Sequence, residues 1–187
     1  MPRKPDARTR IASPDELTRL LANAKPGLRC LILLCFQTAM RFSEALSICP
    51  ANYDQQNHTV TFTGKGGVTN QLPVTEEIAA LFASAAPASA TDSFVLALSE
   101  TATATSTLQN QWKALKKKAG VDPSLRIHDL RRTQATAVYR STKDMRLVQQ
   151  LLSHRRMEST FHYLAPHDPK NLKPILEAIQ PATKVIQ

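Results

Sequence analysis

Hydrophobic and polar positions along the 187-residue chain follow a helical period over most of its length. Ser13-Pro14-Asp15-Glu16 is a strong helix start. The serine can cap, the proline suits the first turn, and the glutamate three residues on closes a capping box. That helix is predicted to run to about Ala24. A second begins near Leu28 and puts Leu31, Leu34, Cys35 and Thr38 on its inner face, which reads as largely buried. After a break near Met40 a short helix covers Ser43 to Ile48. Thr59-Val60-Thr61-Phe62 and Asn70-Gln71-Leu72-Pro73-Val74 flank Gly64-Lys65-Gly66-Gly67, a hairpin with an unobstructed tip. Thr75-Glu76-Glu77 opens a helix to about Ser84. Residues 85–105 form a loop with a short strand at Phe94-Val95-Leu96. From Ser106 an apolar stripe of Leu108, Trp112, Leu115 and Ala119 marks a helix, with Lys113, Lys116 and Lys117 off the stripe. Helices follow at about 128–140, 144–152, 157–164 and 170–179. The fold class is mainly α with a small antiparallel β-sheet (α+β). Its divisions are a basic arm or linker over 1–12, one domain over 13–165, and a tail with a short helix over 166–187.

Composition narrows the class. The longest apolar run, Cys30 to Phe36, is far short of the roughly 20 residues of a membrane span. The polar, basic start has no apolar signal region, so no secretory signal is expected. Cys30, Cys35 and Cys49 lie among apolar residues without metal-ligand spacing and read as reduced core residues of a cytoplasmic protein. The net charge of +9 is concentrated. Residues 1–104 carry nine Lys/Arg and nine Asp/Glu, whereas residues 105–160 carry twelve and four. Such a surplus favours a polyanion, nucleic acid first; a solvated basic face has the same composition, and charge alone leaves both open.

Six polar residues would serve one chemistry. Arg41 follows the buried helix, and Lys65 sits at the hairpin tip. His128 and Arg131 form an H-x-x-R at a helix start, three apart and so on one face. His154 ends a helix, and Tyr163 lies nine residues beyond. Two arginines can offer bidentate, permanently charged donors to a phosphate. A hairpin lysine can deliver a proton, and neighbouring cations favour a tyrosine phenolate as nucleophile. Taken singly each has an ordinary alternative: a core tyrosine, a helix-end histidine, an exposed turn lysine.

The segments TAMRFSEAL, TGKGG, HDLRRTQAT and LVQQLLSHRRMESTFHYL, in this order and spacing, closely resemble the tyrosine recombinase (phage integrase) family from Ser13 to about Leu164. The resemblance implies the family's catalytic-domain fold. It implies that Arg41 and Arg131 bind phosphate, that Lys65 is the general acid, and that His128 and His154 hydrogen-bond the phosphate and assist proton transfer. Tyr163 would be the nucleophile and Glu44 mainly structural. The implied reaction cleaves and rejoins double-stranded DNA through a 3′-phosphotyrosyl link, with no metal and no cofactor. Lys113, Lys116, Lys117, Arg132, Arg140, Arg155 and Arg156 are then candidates for DNA-backbone contacts. Two positions depart from the family pattern: Ala39 and Ser153 stand where glycine is common.

The N-terminal helical domain usual in the family is not recognisable in this chain. It therefore reads as the excised catalytic domain of a longer enzyme, the alternative being a short single-domain enzyme resembling fimbrial inversion recombinases. The implied partner is double-stranded DNA. A homo-tetramer is expected when two sites are synapsed and a monomer otherwise, with the 170–179 helix docking on a neighbour or folding back. The competing functions are a type IB topoisomerase-like enzyme, a non-catalytic DNA-binding regulator that retains the fold, and a metal-dependent nuclease, for which no carboxylate cluster is found.

Overall fold

The computed structural model describes residues 9–64, 67, 69–99, 105–154 and 160. Helix α1 (Pro14–Asn23) starts as the sequence requires: Glu16 N–H donates to Ser13 Oγ at 3.1 Å, and Ser13 N–H donates to Glu16 Oε2 at 2.9 Å. Helix α2 (Pro26–Gln37) is the axis of the domain. Leu31, Ile32, Leu33 and Leu34 are all buried in it, so it is surrounded on every side. Cys30 and Cys35 are buried free thiols, and burial pushes both up to about 12.

Helix α3 (Phe42–Ser47) and a single 3₁₀ turn (Pro50–Asn52) lead into the sheet. Its antiparallel order is β1 (Tyr53–Asp54), β2 (Thr59–Thr63), β3 (Thr69–Pro73), with Val60 opposite Leu72 and Thr63 opposite Thr69. That register buries Val60, Phe62 and Leu72 on one face and leaves the threonines outward. Strand β1, two residues long, was not foreseen.

Helix α4 (Glu76–Ser84) follows, and then the loop contains a helix, not the expected strand. Phe94–Ala97 forms α5, started by Ser93, whose Oγ accepts from Leu96 N–H. Three apolar residues in a row suit either conformation. Packing decides here: Phe94 stacks on Phe82 with ring centroids 4.1 Å apart, while Val95 and Ser99 lie against Gly27 of α2. A Cβ on Gly27 would come within 2.2 Å of Ser99 Oγ and 2.8 Å of Val95 O, so glycine is what allows these helices to approach.

Helix α6 (Thr105–Lys118) packs Leu108, Trp112 and Leu115 into the main core. Helices α7 (Ile127–Thr142) and α8 (Met145–Leu151) complete the described elements. Of the helix expected at 157–164, Thr160 is described and is helical; the rest of it, and the 170–179 helix, lie outside the described residues. Ala39, Ala135, Val148 and Leu152 form a second, smaller apolar cluster between α7, α8 and the α2–α3 turn. The predicted arm is packed at its end: Ala12 is buried and its N–H donates to Thr133 Oγ1 of α7 at 2.8 Å. No helix among the described residues is long and apolar enough to cross a membrane.

Candidate nucleic-acid active site

Arg131 is the centre of the site. It is a large charged side chain only 1% exposed, pointing from α7 towards the second cluster. Its Nη1 donates to Ala39 O, and its Nη2 donates to Leu152 O and lies 3.5 Å from His154 Nε2. The guanidinium thus joins α7, the α2–α3 turn and the end of α8. Glu44 joins the second arginine to it. Its Oε1 accepts from Arg41 Nη1 at 2.6 Å, its Oε2 accepts from Arg41 N–H at 2.8 Å, and Oε2 is 3.9 Å from Arg131 Nη1. One buried carboxylate therefore starts helix α3 and orients both arginines. The sequence suggested a structural glutamate but not that it reaches Arg131.

The histidines share this field. His154 is pulled down to about 4, first by burial and then by Arg131 and Arg41. His128, the second residue of α7, is also lowered, by burial, Arg131 and Arg132, with a smaller contribution from Arg41. Each cation that acts on one histidine from Arg41 or Arg131 acts on the other too, so four of the six expected residues (Arg41, His128, Arg131, His154) lie in one electrostatic environment. Both shifts favour the neutral ring, and the one Glu44 carboxylate offsets only one of the two guanidinium charges.

A cleft of about 380 Å³ opens beside Arg41, lined also by Ser43, Glu44, Ser47, Thr63 and Gly64. Gly64 begins the hairpin turn, closed by Gly67 N–H donating to Gly64 O at 3.1 Å. Lys65 and Tyr163 lie outside the described residues, as do Arg155 and Arg156. The larger cleft, about 530 Å³ around Tyr53, His58, Phe82 and Phe94, contains none of the expected site residues.

Of the expected DNA-backbone contacts, Lys116 is corrected and Arg132 is buried. Lys116 is 8% exposed; its Nζ donates to Pro123 O and to Leu125 O, the latter at 2.8 Å, and sits 5.8 Å from the Trp112 ring centre. It fastens the loop that leads into α7 and does not face a ligand. Arg132 is 7% exposed, buried beside Arg131 on α7 and not on the open basic surface expected for it. Lys113, Lys117 and Arg140 are exposed as expected, and Lys118, Arg126, Lys143 and Arg146 add exposed cations that the sequence reading did not single out.

The two departures from the family pattern now have a physical meaning. Ala39 and Ser153 have φ of 53° and 51°, in the left-handed region that favours glycine. Ser153 ends α8 in a Schellman motif, with His154 N–H donating to Gln149 O and Ser153 N–H to Gln150 O. Ser153→Gly is expected to add about 0.5–1 kcal/mol, since the left-handed conformation costs an L-residue about 1–2 kcal/mol and glycine returns part of that gain as chain freedom. Ala39→Gly should be near neutral, because the same relief is offset by losing a buried methyl worth about 0.8 kcal/mol. Denaturant midpoints at constant slope test both; equal midpoints for the two variants would contradict this accounting.

The description of the phage integrase family matches residues 10–169. The chain belongs to that family. This integrase-family chain is 30% identical over 143 residues to tyrosine recombinase XerD of Corynebacterium glutamicum, a match spanning 72% of the chain and 47% of XerD. It spans about half the length of the curated relatives it matches. Its fold is that of the XerA recombinase crystal structure, at TM-score 0.72 and 23% identity over 97% of this chain and 67% of that one. The XerH site-specific recombinase bound to its difH substrate gives TM-score 0.72 and 21% identity, covering 94% of this chain and 55% of XerH.

Proposed function

We propose that this chain is the catalytic part of a site-specific DNA recombinase that cleaves and rejoins double-stranded DNA through a 3′-phosphotyrosyl intermediate. The observation that carries the reading is the Arg131 guanidinium, fixed by backbone carbonyls beside Glu44-held Arg41 and two histidines whose neutral forms are favoured. Fixed donors of this kind need no reorganisation when negative charge develops on a phosphorus centre. The relative XerH, whose structure holds its difH substrate before cleavage, supports DNA as the partner.

In this reading Tyr163 Oη attacks the scissile phosphate, forming a phosphotyrosyl ester and releasing a 5′-oxygen. Lys65 gives that oxygen its proton, and His128 takes up the proton of the tyrosine. Arg41, Arg131 and His154 hold the non-bridging oxygens. The 5′-hydroxyl of a second strand then reverses the step. The ester bond conserves the phosphodiester energy, so the exchange needs neither ATP nor a metal. In the same reading the exposed Lys113, Lys117 and Arg140 make DNA-backbone contacts. The protein is cytoplasmic, a monomer alone and a tetramer when two DNA sites are synapsed.

A pool of nicked duplexes with randomised arms, incubated with the protein in a chelator, tests this. The expected result is a DNA–protein adduct that survives detergent. Retention of duplexes without any adduct would defeat the enzymatic reading.

A further inference from the structure

His154 is held from both sides. Its Nε2 faces Arg131 Nη2 at 3.5 Å, and its Nδ1 lies 3.2 Å from the hydroxyl of Thr160, a fully buried residue. A guanidinium can only donate, so Nε2 presents its lone pair to Arg131 and the neutral ring carries its proton on Nδ1. That proton can only go to an acceptor, and Thr160 Oγ1 is placed to be one. Protonating Nε2 as well would set N–H against N–H, in keeping with a ring driven down to about 4.

To bond a phosphate oxygen, the same ring needs its proton on Nε2. Nδ1 then holds a lone pair and needs a donor. A hydroxyl can serve in both states, because it donates one hydrogen bond and accepts others. A carbonyl or an amine could serve only one.

We propose that Thr160 is a positioning residue whose hydroxyl accepts from His154 Nδ1–H in the free protein and donates to Nδ1 once Nε2–H is turned to a substrate phosphodiester. The ring releases its Nδ1 proton to water and takes one from water at Nε2, so its charge is unchanged. The inference rests on the proposed function for its second state, but not for its first.

Ring-nitrogen NMR of His154 separates the two. In the DNA-free protein the expected signature is a neutral ring protonated at Nδ1. Thr160→Val, of the same shape, should keep that tautomer, which Arg131 sets, but lose the hydrogen bond made by Nδ1–H, read as an upfield shift of that proton, and Thr160→Ser should keep both. An unshifted Nδ1 proton in Thr160→Val overturns the proposal whether or not the protein is a recombinase. In the Tyr163→Phe protein bound to the duplex recovered from the pool above, the ring should be neutral and protonated at Nε2. A doubly protonated ring overturns the exchange of roles. In single-turnover cleavage Thr160→Val should be slower by roughly tenfold with DNA affinity retained, and Thr160→Ser should fall within about threefold of the parent. Equal rates for Thr160→Val and the parent overturn the positioning role. A parent protein that forms no adduct defeats the recombinase reading alone, and the Nδ1 proton shift between the free parent and Thr160→Val still decides the Thr160 contact.

Discussion

Arg131→Lys is expected to lower the rate of adduct formation by about 10²–10³-fold, the usual cost of removing one preorganised donor from a site where charge develops. Arg131 uses one planar group to reach Ala39 O, Leu152 O and the His154 ring together. An ammonium on a shorter, unforked stem cannot hold two separated carbonyls and still offer a flat pair of donors to a phosphate. The variant keeps the buried positive charge opposite Glu44, which is why lysine is a better choice than an apolar residue. Lost carbonyl bonds should also cost about 1–3 kcal/mol of stability. Single-turnover cleavage, run alongside DNA binding and denaturant melting, separates the two effects. Cleavage within a few-fold of the parent would remove Arg131 from the chemistry and leave it as a pin between helices.

Tyr163→Phe should abolish the covalent adduct and leave DNA binding nearly intact, because it deletes one oxygen and no charge. The chain has three tyrosines, and the structure argues against the other two. Tyr53 is packed edge-on against Phe82 and Phe94, beside the cleft that holds none of the site residues. Burial and the neighbouring Glu76 and Asp54 raise its pKa, the wrong direction for a nucleophile. Tyr139 packs on the second apolar cluster under Lys143. Digestion of the wild-type adduct should leave the DNA on the peptide that contains Tyr163. An adduct of full yield in the phenylalanine variant would place the nucleophile elsewhere and overturn the assignment.

Where local chemistry decided the structure, the sequence was readable. Ser13 and Glu16 specify a helix start by themselves, and glycines between two alternating runs specify a hairpin. The H-x-x-R pair needs only helical spacing to share a face. Where packing decided, reading failed. Phe94-Val95-Leu96 has no period of its own, and its helix depends on Gly27 admitting it; Ser93, a good cap, was the signal available. Lys116 lies four residues after Trp112 and so on the apolar stripe, which should have marked it as inward-facing. Its carbonyl partners at Pro123 and Leu125 come from the loop that follows the helix. Arg132 sits beside Arg131 on α7, and composition cannot distinguish a buried cation from an exposed one. Thr160 gave no sign at all: a lone hydroxyl acquires its meaning only when a histidine six residues earlier turns to face it.

The separateness of the smaller apolar cluster has a consequence for how the molecule breathes. Helix α8 rests on that cluster and on Arg131 and meets the main core through Leu151, while α2 is enclosed by the main core. Among the described residues α8 buries only Val148 where α2 buries eight residues, so opening α8 is the cheaper excursion of the two. His154 therefore stands at the end of a lightly anchored helix, where a local opening moves its ring and leaves α2 undisturbed.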